Sequence, residues 1–134
     1  MLDQKPTIER MRKRPEFLLA AQARFRSHGA VVIQRRDRAD GDPLIRSGFT
    51  ATKRVGGSVV RNRCKRRLRE AARALLPLHG VPGSDYVFIA RGGTAARPWD
   101  RLLDDVKSAL IRLATDPDTV PAPSGAASDP SRSG

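Results

Sequence analysis

The chain has 134 residues, one cysteine and a formal net charge of +12 at pH 7. This length suits a single compact domain, the lone Cys64 excludes an internal disulfide and a cysteine-rich zinc site, and no apolar stretch predicts a signal peptide or a membrane span of roughly 20 residues. So large a basic excess favours a polyanionic partner such as nucleic acid, phospholipid headgroups or an acidic protein.

The first predicted element is a helix from Pro15 to Phe25. Phe17, Leu18, Ala21 and Phe25 fall at helical spacings. Pro15 fits the first turn of a helix, because the N–H that proline lacks would have no partner there. The segment therefore predicts an amphipathic helix near the N-terminus.

Two strands are predicted next. The β-branched run Ala30–Ile33 is typical of a strand, and the DGDP sequence at residues 40–43 is typical of a turn. Alternating residues then predict a second strand over Ile45–Lys53. The apolar side chains on one face of that strand are Ile45, Phe49 and Ala51.

The second half predicts helix, strand and helix. A long helix is expected from Val59 to Leu76, with Ser58 as its N-cap and Pro77 ending it. The continuous apolar run Asp85–Ala90 is short enough for a buried strand. A final amphipathic helix is expected over Pro98–Ala114. Its apolar face is formed by Trp99, Leu102, Val106, Leu110 and Leu113, and Trp99 is expected in the core with Phe49, Tyr86 and Phe88.

These elements predict an α+β fold in which helices pack on a small sheet as a two-layer sandwich, in the order α-β-β-α-β-α. The domain is expected to span residues 1–114. Residues 115–134 are rich in Pro, Ser, Gly, Ala and Asp, and such a segment has too little apolar surface to offset the entropy of ordering, so a disordered tail is expected. Its three aspartates outnumber its one arginine, so the basic excess belongs to the domain.

The long central helix carries most of that excess. At 100° per residue, one narrow stripe is apolar, and it contains Val60, Cys64, Leu68, Ala71 and Leu75. The opposite face and its flanks are cationic. They contain Arg61, Asn62, Arg63, Lys65, Arg66, Arg67, Arg69 and Arg73. An idle, solvated face is the simpler interpretation, but such a face normally mixes charges of both signs.

On this helix Glu70 is the only acid, and like charges recur four residues apart at Arg61, Lys65, Arg69 and Arg73. Such pairs repel by a few tenths of a kcal/mol each, so binding of a polyanion explains the face better than solubility does. Arginine predominates, and its planar fork pairs bidentately with phosphate and stacks on bases. The apolar stripe lacks the bulky aromatic residues of a membrane-binding helix. The pattern therefore favours nucleic acid over lipid.

The segment Gly48–Arg73, GFTATKRVGGSVVRNRCKRRLREAAR, resembles the central motif of the ribonuclease P protein family. The Arg61-Asn62-Arg63 triplet corresponds to the family's basic helix, and Thr52-Lys53-Arg54-Val55-Gly56 matches the strand end and turn before it. The resemblance extends from about Arg10 to Ala114. The chain departs from the family at three positions, which are Ser58, Cys64 and Ala21; at the last, members often carry a second aromatic.

The resemblance implies a protein subunit that promotes removal of the 5′ leader from precursor tRNA, while an RNA subunit performs the hydrolysis with Mg²⁺ that the RNA mainly holds. It implies a left-handed βαβ crossover through the basic helix, a cytoplasmic location, and partners that are the catalytic RNA and precursor tRNA, with no membrane and no obligatory protein partner. The residues expected to bind the catalytic RNA are Arg61, Asn62, Arg63, Lys65, Arg66, Arg67, Arg69 and Arg73. Those expected in a groove for the leader are Phe17, Lys53 and Arg54, because single-stranded RNA needs stacking surfaces beside cations. Phe17 as an ordinary core residue is an equal alternative.

Three other functions compete for the same residues. A ribosomal protein or general RNA chaperone would share the basic helix. A DNA-binding helix-turn-helix protein needs a short helix before its recognition helix, whereas a strand and a Gly-Gly turn come first here. A self-sufficient nuclease needs a catalytic constellation, and the sequence offers no such group and no metal site, so no catalytic residue and no protein-bound cofactor are assigned.

Overall fold

The structure is a computed structural model that describes residues 8–11, 14–21 and 24–115. Five strands and three α-helices are present in this part of the chain. The strands are β1 (Ile8–Arg10), β2 (Arg24–His28), β3 (Val31–Asp37), β4 (Ile45–Thr50) and β5 (Ser84–Ala90). The helices are α1 (Arg14–Ala21), α2 (Ser58–His79) and α3 (Trp99–Thr115), and a short 3-10 turn at Lys53–Val55 precedes α2.

The five strands form one mixed sheet in the order β1-β4-β5-β3-β2. Strand β4 lies parallel to both β1 and β5, whereas β3 is antiparallel to β5 and to β2. Because parallel neighbours cannot be joined by a tight turn, the connection from β4 to β5 crosses over through α2. The sequence thus places its most basic helix in a βαβ unit, and the predicted α+β class is confirmed.

Helices cover both faces of the sheet. Helices α2 and α3 pack against each other and against one face, where the main core contains Ile33, Tyr86, Phe88, Leu68 and Leu110, all fully buried. Helix α1 lies on the other face above a smaller core. That core consists of Met11, Ala20 and Val87, with Phe17 and Ile89 partly buried against it.

The predicted stripe on α2 is largely confirmed. Cys64, Leu68 and Ala71 are buried, and Val60 and Leu75 pack partly against the core. Two further residues, Ala72 and Leu76, are also buried, on the flank of α2 that faces β1 and β4, where both line a cleft beside Ile8 and Phe49. The prediction of a single narrow stripe failed to include them.

Several predicted boundaries were wrong. The first helix ends at Ala21 rather than at Phe25, and Phe25 lies in β2, which pairs with β3 along its whole length. Pairing with a neighbouring strand can override a helical pattern. Strand β1 was not predicted, since its three residues carry no periodic signal. Helix α2 begins after an N-cap at Gly57 instead of Ser58 and continues through Pro77 to His79.

Trp99 was expected in the core, and this prediction was wrong. Its side chain is 42% exposed at the first residue of α3 and belongs to neither core cluster. The other predicted members of that face, from Leu102 to Leu113, are fully buried. Tyr86 and Phe88 are also fully buried, and Phe49 stacks on Phe88 with ring centroids 5.2 Å apart.

Two buried carboxylates fix the connections around the sheet. Asp85 in β5 accepts hydrogen bonds from Arg36, Arg38 and Arg46 at 2.8–3.3 Å, and Arg38 also donates to the carbonyl of Leu44 and so anchors the loop before β4. Asp105 in α3 accepts from the amide of Ala30 and from Arg97.

The carboxyl group of Asp105 lies against Gly29, whose φ is 54°. A Cβ atom on Gly29 would stand 2.3 Å from each atom of that carboxyl group. The turn between β2 and β3 therefore requires glycine for two independent reasons, the left-handed backbone and the close approach of a buried side chain.

The predicted tail lies outside the described residues, except for Thr115 at the end of α3. Within the described ranges, every helix is too short or too polar to cross a membrane.

Candidate nucleic-acid interface

The outward side of α2 carries the predicted basic residues. Asn62, Arg63, Arg66 and Arg73 are exposed, whereas Arg61, Lys65, Arg67 and Arg69 are partly buried. In the part of the chain that the structure describes, the one carboxylate paired with any of them is that of Glu70, which lies 3.5 Å from Arg73 in an exposed contact. An exposed pair of this kind contributes little stability. The face therefore keeps most of its positive charge available.

Arg67 is held inside the protein surface rather than projecting from it. Its guanidinium donates hydrogen bonds to the carbonyls of Thr94 and Ala95, at 2.7 and 2.8 Å, and to the carbonyl of Arg97. Arg63 donates through Nε to the same Ala95 carbonyl at 3.0 Å. These two arginines thus fasten the loop between β5 and α3 to the flank of α2. The positions of Arg63 and Arg67 in the sequence do not predict that they anchor this loop.

Arg69 takes a different position. Its guanidinium carbon lies 5.9 Å from the ring centroid of Phe49 in β4, so the side chain lies against the sheet. A cleft of about 260 Å³ opens there between α2, β4 and β1. Its arginines are Arg10, Arg69 and Arg73, and its apolar wall is formed by Ile8, Phe49, Ala72, Leu76 and Pro77. Arg10 was missed from sequence because β1 was not predicted.

The opposite face of the sheet carries Phe17. A Cβ atom on Gly48 would lie 2.5 Å from the Phe17 ring, so the ring packs directly on the backbone of β4. Phe17 also contacts the small core yet stays partly buried rather than fully enclosed. It is therefore both a packing residue and a surface residue of this face.

Phe25 lies on the same face of the sheet as Phe17. It pairs across the strands with Gln34, which pairs in turn with Val87 of the small core, and cross-strand partners share a face. Its side chain is 53% exposed. The chain thus presents a second aromatic ring on this face from a strand, where the helical position Ala21 lacks one.

Lys53 and Arg54 lie in the 3-10 turn just beyond β4 and are exposed. Phe17 packs on β4 at Gly48, and Lys53 and Arg54 lie further along the chain, just beyond the end of that strand. Thr50 and Ile89 are paired across β4 and β5 between them. Phe17, the paired Thr50 and Ile89, and the two cations beyond the end of β4 therefore follow one another in the direction of this strand.

The described residues contain no group of three histidine, cysteine or acidic side chains that could hold a metal ion. Cys64 is buried, and burial raises the pKa of its thiol although the nearby charges of Arg67 and Arg63 oppose that change. A protonated thiol is a poor nucleophile. The chemistry that this surface supports is binding and positioning of an anion.

Comparison with known proteins agrees with this geometry. A family model described as "Ribonuclease P" matches residues 6–114. The chain belongs to the ribonuclease P protein family. The ribonuclease P protein component of Caulobacter vibrioides is 69% identical over 111 residues, covering 83% of this chain and 74% of the relative. That of Ruegeria pomeroyi is 54% identical over 108 residues, covering 79% and 86%.

Solved ribonuclease P proteins share the fold. The protein from Thermotoga maritima superposes with a TM-score of 0.66 at 24% identity, covering 77% of this chain and 96% of the other. That from Staphylococcus aureus gives 0.65 at 21%, covering 79% and 94%. As a member of this family, the chain is a subunit of the ribonucleoprotein endonuclease ribonuclease P and works with its RNA subunit in tRNA 5′ processing.

Proposed function

We propose that the two faces of this domain divide the binding work of ribonuclease P. The outward face of α2 binds the catalytic RNA through Arg61, Asn62, Arg63, Lys65, Arg66, Arg69 and Arg73, while the anchored Arg67 adds positive charge beside them. The face that carries α1 holds the 5′ leader of precursor tRNA, with Phe17, Lys53 and Arg54 in contact with it. The exposed Phe25 adds a second stacking ring to that groove.

The observation that supports this proposal most directly is the unmatched charge of α2. Arginines recur on its surface with a single carboxylate contact among the described residues, although like charges four residues apart cost stability. RNA phosphates would supply the missing counter-charge. A general RNA chaperone would use the same face, but it would have no need of a leader groove on the other side of the sheet.

Catalysis in this proposal belongs to the RNA subunit, with Mg²⁺ that the RNA mainly holds, and the protein contributes no catalytic residue. We propose a cytoplasmic location. The isolated protein, free of RNA and of contaminating nuclease, is expected not to cleave precursor tRNA, whereas its addition to the catalytic RNA should raise cleavage at low Mg²⁺.

The first test concerns α2. Arg66→Ala removes an exposed arginine, and each lost phosphate contact should flatten the plot of log affinity against log salt by about one unit. The measurement is a titration of the catalytic RNA at several salt concentrations. Arg112→Ala, an exposed arginine in the last turn of α3, is the matched control and should leave the slope unchanged. Equal slopes for both variants and the wild type would show that the α2 face does not contact this RNA.

The second test concerns the groove. Phe17→Ala and Phe25→Ala should each weaken binding of precursor tRNA to the assembled complex by about 1–3 kcal/mol, because each removes a ring on which a base of the leader would stack. Precursors without a leader should bind equally well to all variants. Ile111→Ala is the control, since Ile111 is 39% exposed on α3, which packs on the other face of the sheet.

Because Phe17 packs on Gly48, Phe17→Ala should also lower the stability of the fold. Phe25 is exposed, so the binding measured for Phe25→Ala tests the groove without that effect. If Phe25→Ala and Phe17→Ala weaken binding of the catalytic RNA and of precursor tRNA alike, the groove assignment fails.

A further inference from the structure

Trp99 is an exposed aromatic residue that neither core uses. It begins α3 and is 42% exposed, whereas Leu102 and Val106 on the same helix are fully buried. A tryptophan side chain offers a large apolar surface, and such residues are usually kept mostly buried unless they contact a partner. The ring therefore lies at the surface without a packing role that would account for it.

The orientation of this ring is fixed from one side. The guanidinium carbon of Arg67 lies 5.7 Å from the centroid of the Trp99 ring. Arg67 is itself fixed by its hydrogen bonds to the carbonyls of Thr94, Ala95 and Arg97. A cation over one face of an indole leaves the other face for a second planar group. The indole is thus held in place before any ligand arrives.

An exposed arginine lies next to Arg67. Arg63 shares the Ala95 carbonyl with Arg67, and its two terminal nitrogens have no hydrogen-bond partner among the described residues. Burial, and then the positive charge of Arg63, lower the pKa of Arg67. Arg97 is already paired with Asp105, and Asp100 follows Trp99 in the chain. The positive charge left unmatched beside the ring is that of Arg63 and Arg67.

We propose that Trp99 and Arg63 form a binding site for one unpaired nucleotide of the ribonuclease P RNA. The base stacks on the open part of the indole, and a phosphate binds the free nitrogens of Arg63. A stacking ring beside a guanidinium is the combination by which proteins bind single nucleotides, because bases stack on aromatic planes while cations follow the backbone. This proposal rests on the proposed function of α2, and it extends that face across the flank of the helix onto α3.

The surroundings of the site favour RNA. Gly92 and Gly93, in the loop that Arg63 and Arg67 fasten, are exposed, and a Cβ atom on either would have no neighbouring atom within 4 Å. At these two positions the loop therefore has no side chain that would block the approach of a nucleic-acid strand. The site also continues directly from the exposed Arg66 and Asn62 through Arg63. Phosphate complements this charge, whereas a purely apolar partner would leave Arg63 unpaired.

Trp99 is the single tryptophan of the chain, so its fluorescence reports on this site alone. The full-length protein is titrated with ribonuclease P RNA while indole emission and its quenching by acrylamide are followed. A stacked base should quench the emission and protect the ring from acrylamide. Unchanged emission and unchanged acrylamide access at saturation would overturn the proposal.

Substitutions separate stacking from bulk hydrophobicity. Trp99→Leu should weaken RNA binding roughly 5- to 100-fold without changing the salt slope, whereas Trp99→Phe should retain most of the affinity. Arg63→Ala should weaken binding and flatten the slope by about one unit. Leu78→Ala is the matched control, because Leu78 is 74% exposed near the other end of α2. This variant should bind the RNA as the wild type does. Equal affinity of Trp99→Leu and the wild type would overturn the site.

Two further outcomes are distinguishable. If the wild type itself fails to bind the RNA, the proposed function fails. If it binds normally but Trp99 emission changes only with protein concentration in the absence of RNA, the ring is a contact between copies of the chain and the nucleotide site is excluded.

Discussion

On α2, buried side chains lie next to charged ones and are influenced by them, and Cys64 is an example. The thiol lies in the main core on α2 and is fully buried, while the arginines on either side of it, Arg63 and Arg67, hold the loop before α3. Burial raises the pKa of the thiol more than the two positive charges lower it. The residue therefore behaves as a small apolar side chain that stays protonated.

Cys64→Val should fold and bind RNA as the wild type does, because a similar volume fills the same space. A raised thiol pKa stabilises the native state fully below the ordinary thiol pKa, and that contribution is lost as pH rises above it. The wild type should therefore lose stability between neutral and alkaline pH slightly faster than Cys64→Val, as measured by urea denaturation. Native Cys64 should also react slowly with iodoacetamide. Rapid alkylation, or loss of activity in the folded variant, would contradict this account.

At the scale of elements, α2 shows what a sequence pattern can and cannot predict. Its existence, its buried residues Cys64, Leu68 and Ala71, and its basic outer side follow from periodicity and charge alone. Its contacts with the loop after β5 do not, because they join side chains to backbone carbonyls about 30 residues away. Arg67 accordingly looked like its neighbours in sequence but is an anchor in the structure.

The strands show the same limit. A β-branched run predicted the interior of β3, alternation predicted that of β4, and a short continuous apolar run predicted β5; the side chains of all three face the cores. The two edge strands were missed. Strand β1 has three residues, and Phe25 in β2 happens to continue the helical spacing of Phe17 and Ala21. Only the partner strand decides such cases, since pairing with β3 supplies the hydrogen bonds. The groove on that face could not be assembled from sequence for the same reason.

Arg67→Lys tests the anchoring of the loop. A lysine keeps the charge but cannot donate to three carbonyls in fixed directions, so the loop and Trp99 should become more mobile. We expect a loss of stability of about 1–3 kcal/mol and higher acrylamide quenching of Trp99 without RNA. Lys65→Arg is the control, since it changes a neighbouring cation of α2 and leaves Arg67 in place. Unchanged quenching in Arg67→Lys would show that the loop is held by other contacts.

Across the whole molecule, the sheet separates the basic face of α2 from the face that carries α1. One buried carboxylate joins β3, β4 and β5 to the loop after β3. Asp85 in β5 is fully buried. It pairs with Arg36 in β3, with Arg38 at the start of the loop after β3, and with Arg46 in β4. Arg38 also pairs with Asp40, so three cations share two acids and the cluster keeps a positive charge. Asp85 therefore holds β3, β4 and β5 together while the cluster around it remains positively charged.

Asp85→Asn should be strongly destabilising, by about 3–5 kcal/mol, because removing one partner of a buried ion cluster leaves the others uncompensated. Urea denaturation measures this, and the loss should depend little on salt because the cluster is screened from solvent. Asp100→Asn, an exposed acid on α3, should change stability by less than about 0.5 kcal/mol. Similar stability of Asp85→Asn and the wild type would mean that the arginines find other partners.

The contact between Gly29 and Asp105 constrains how this sequence can drift. Any side chain at position 29 collides with the Asp105 carboxyl group, and shortening Asp105 to make room would orphan the amide of Ala30 and the guanidinium of Arg97. Neither position can therefore change first without a loss of fitness, so the pair should be inherited as a unit. In a library of all single substitutions, position 29 should be depleted of every residue but glycine, while position 57, where an added Cβ atom would meet nothing within 4 Å, should accept many.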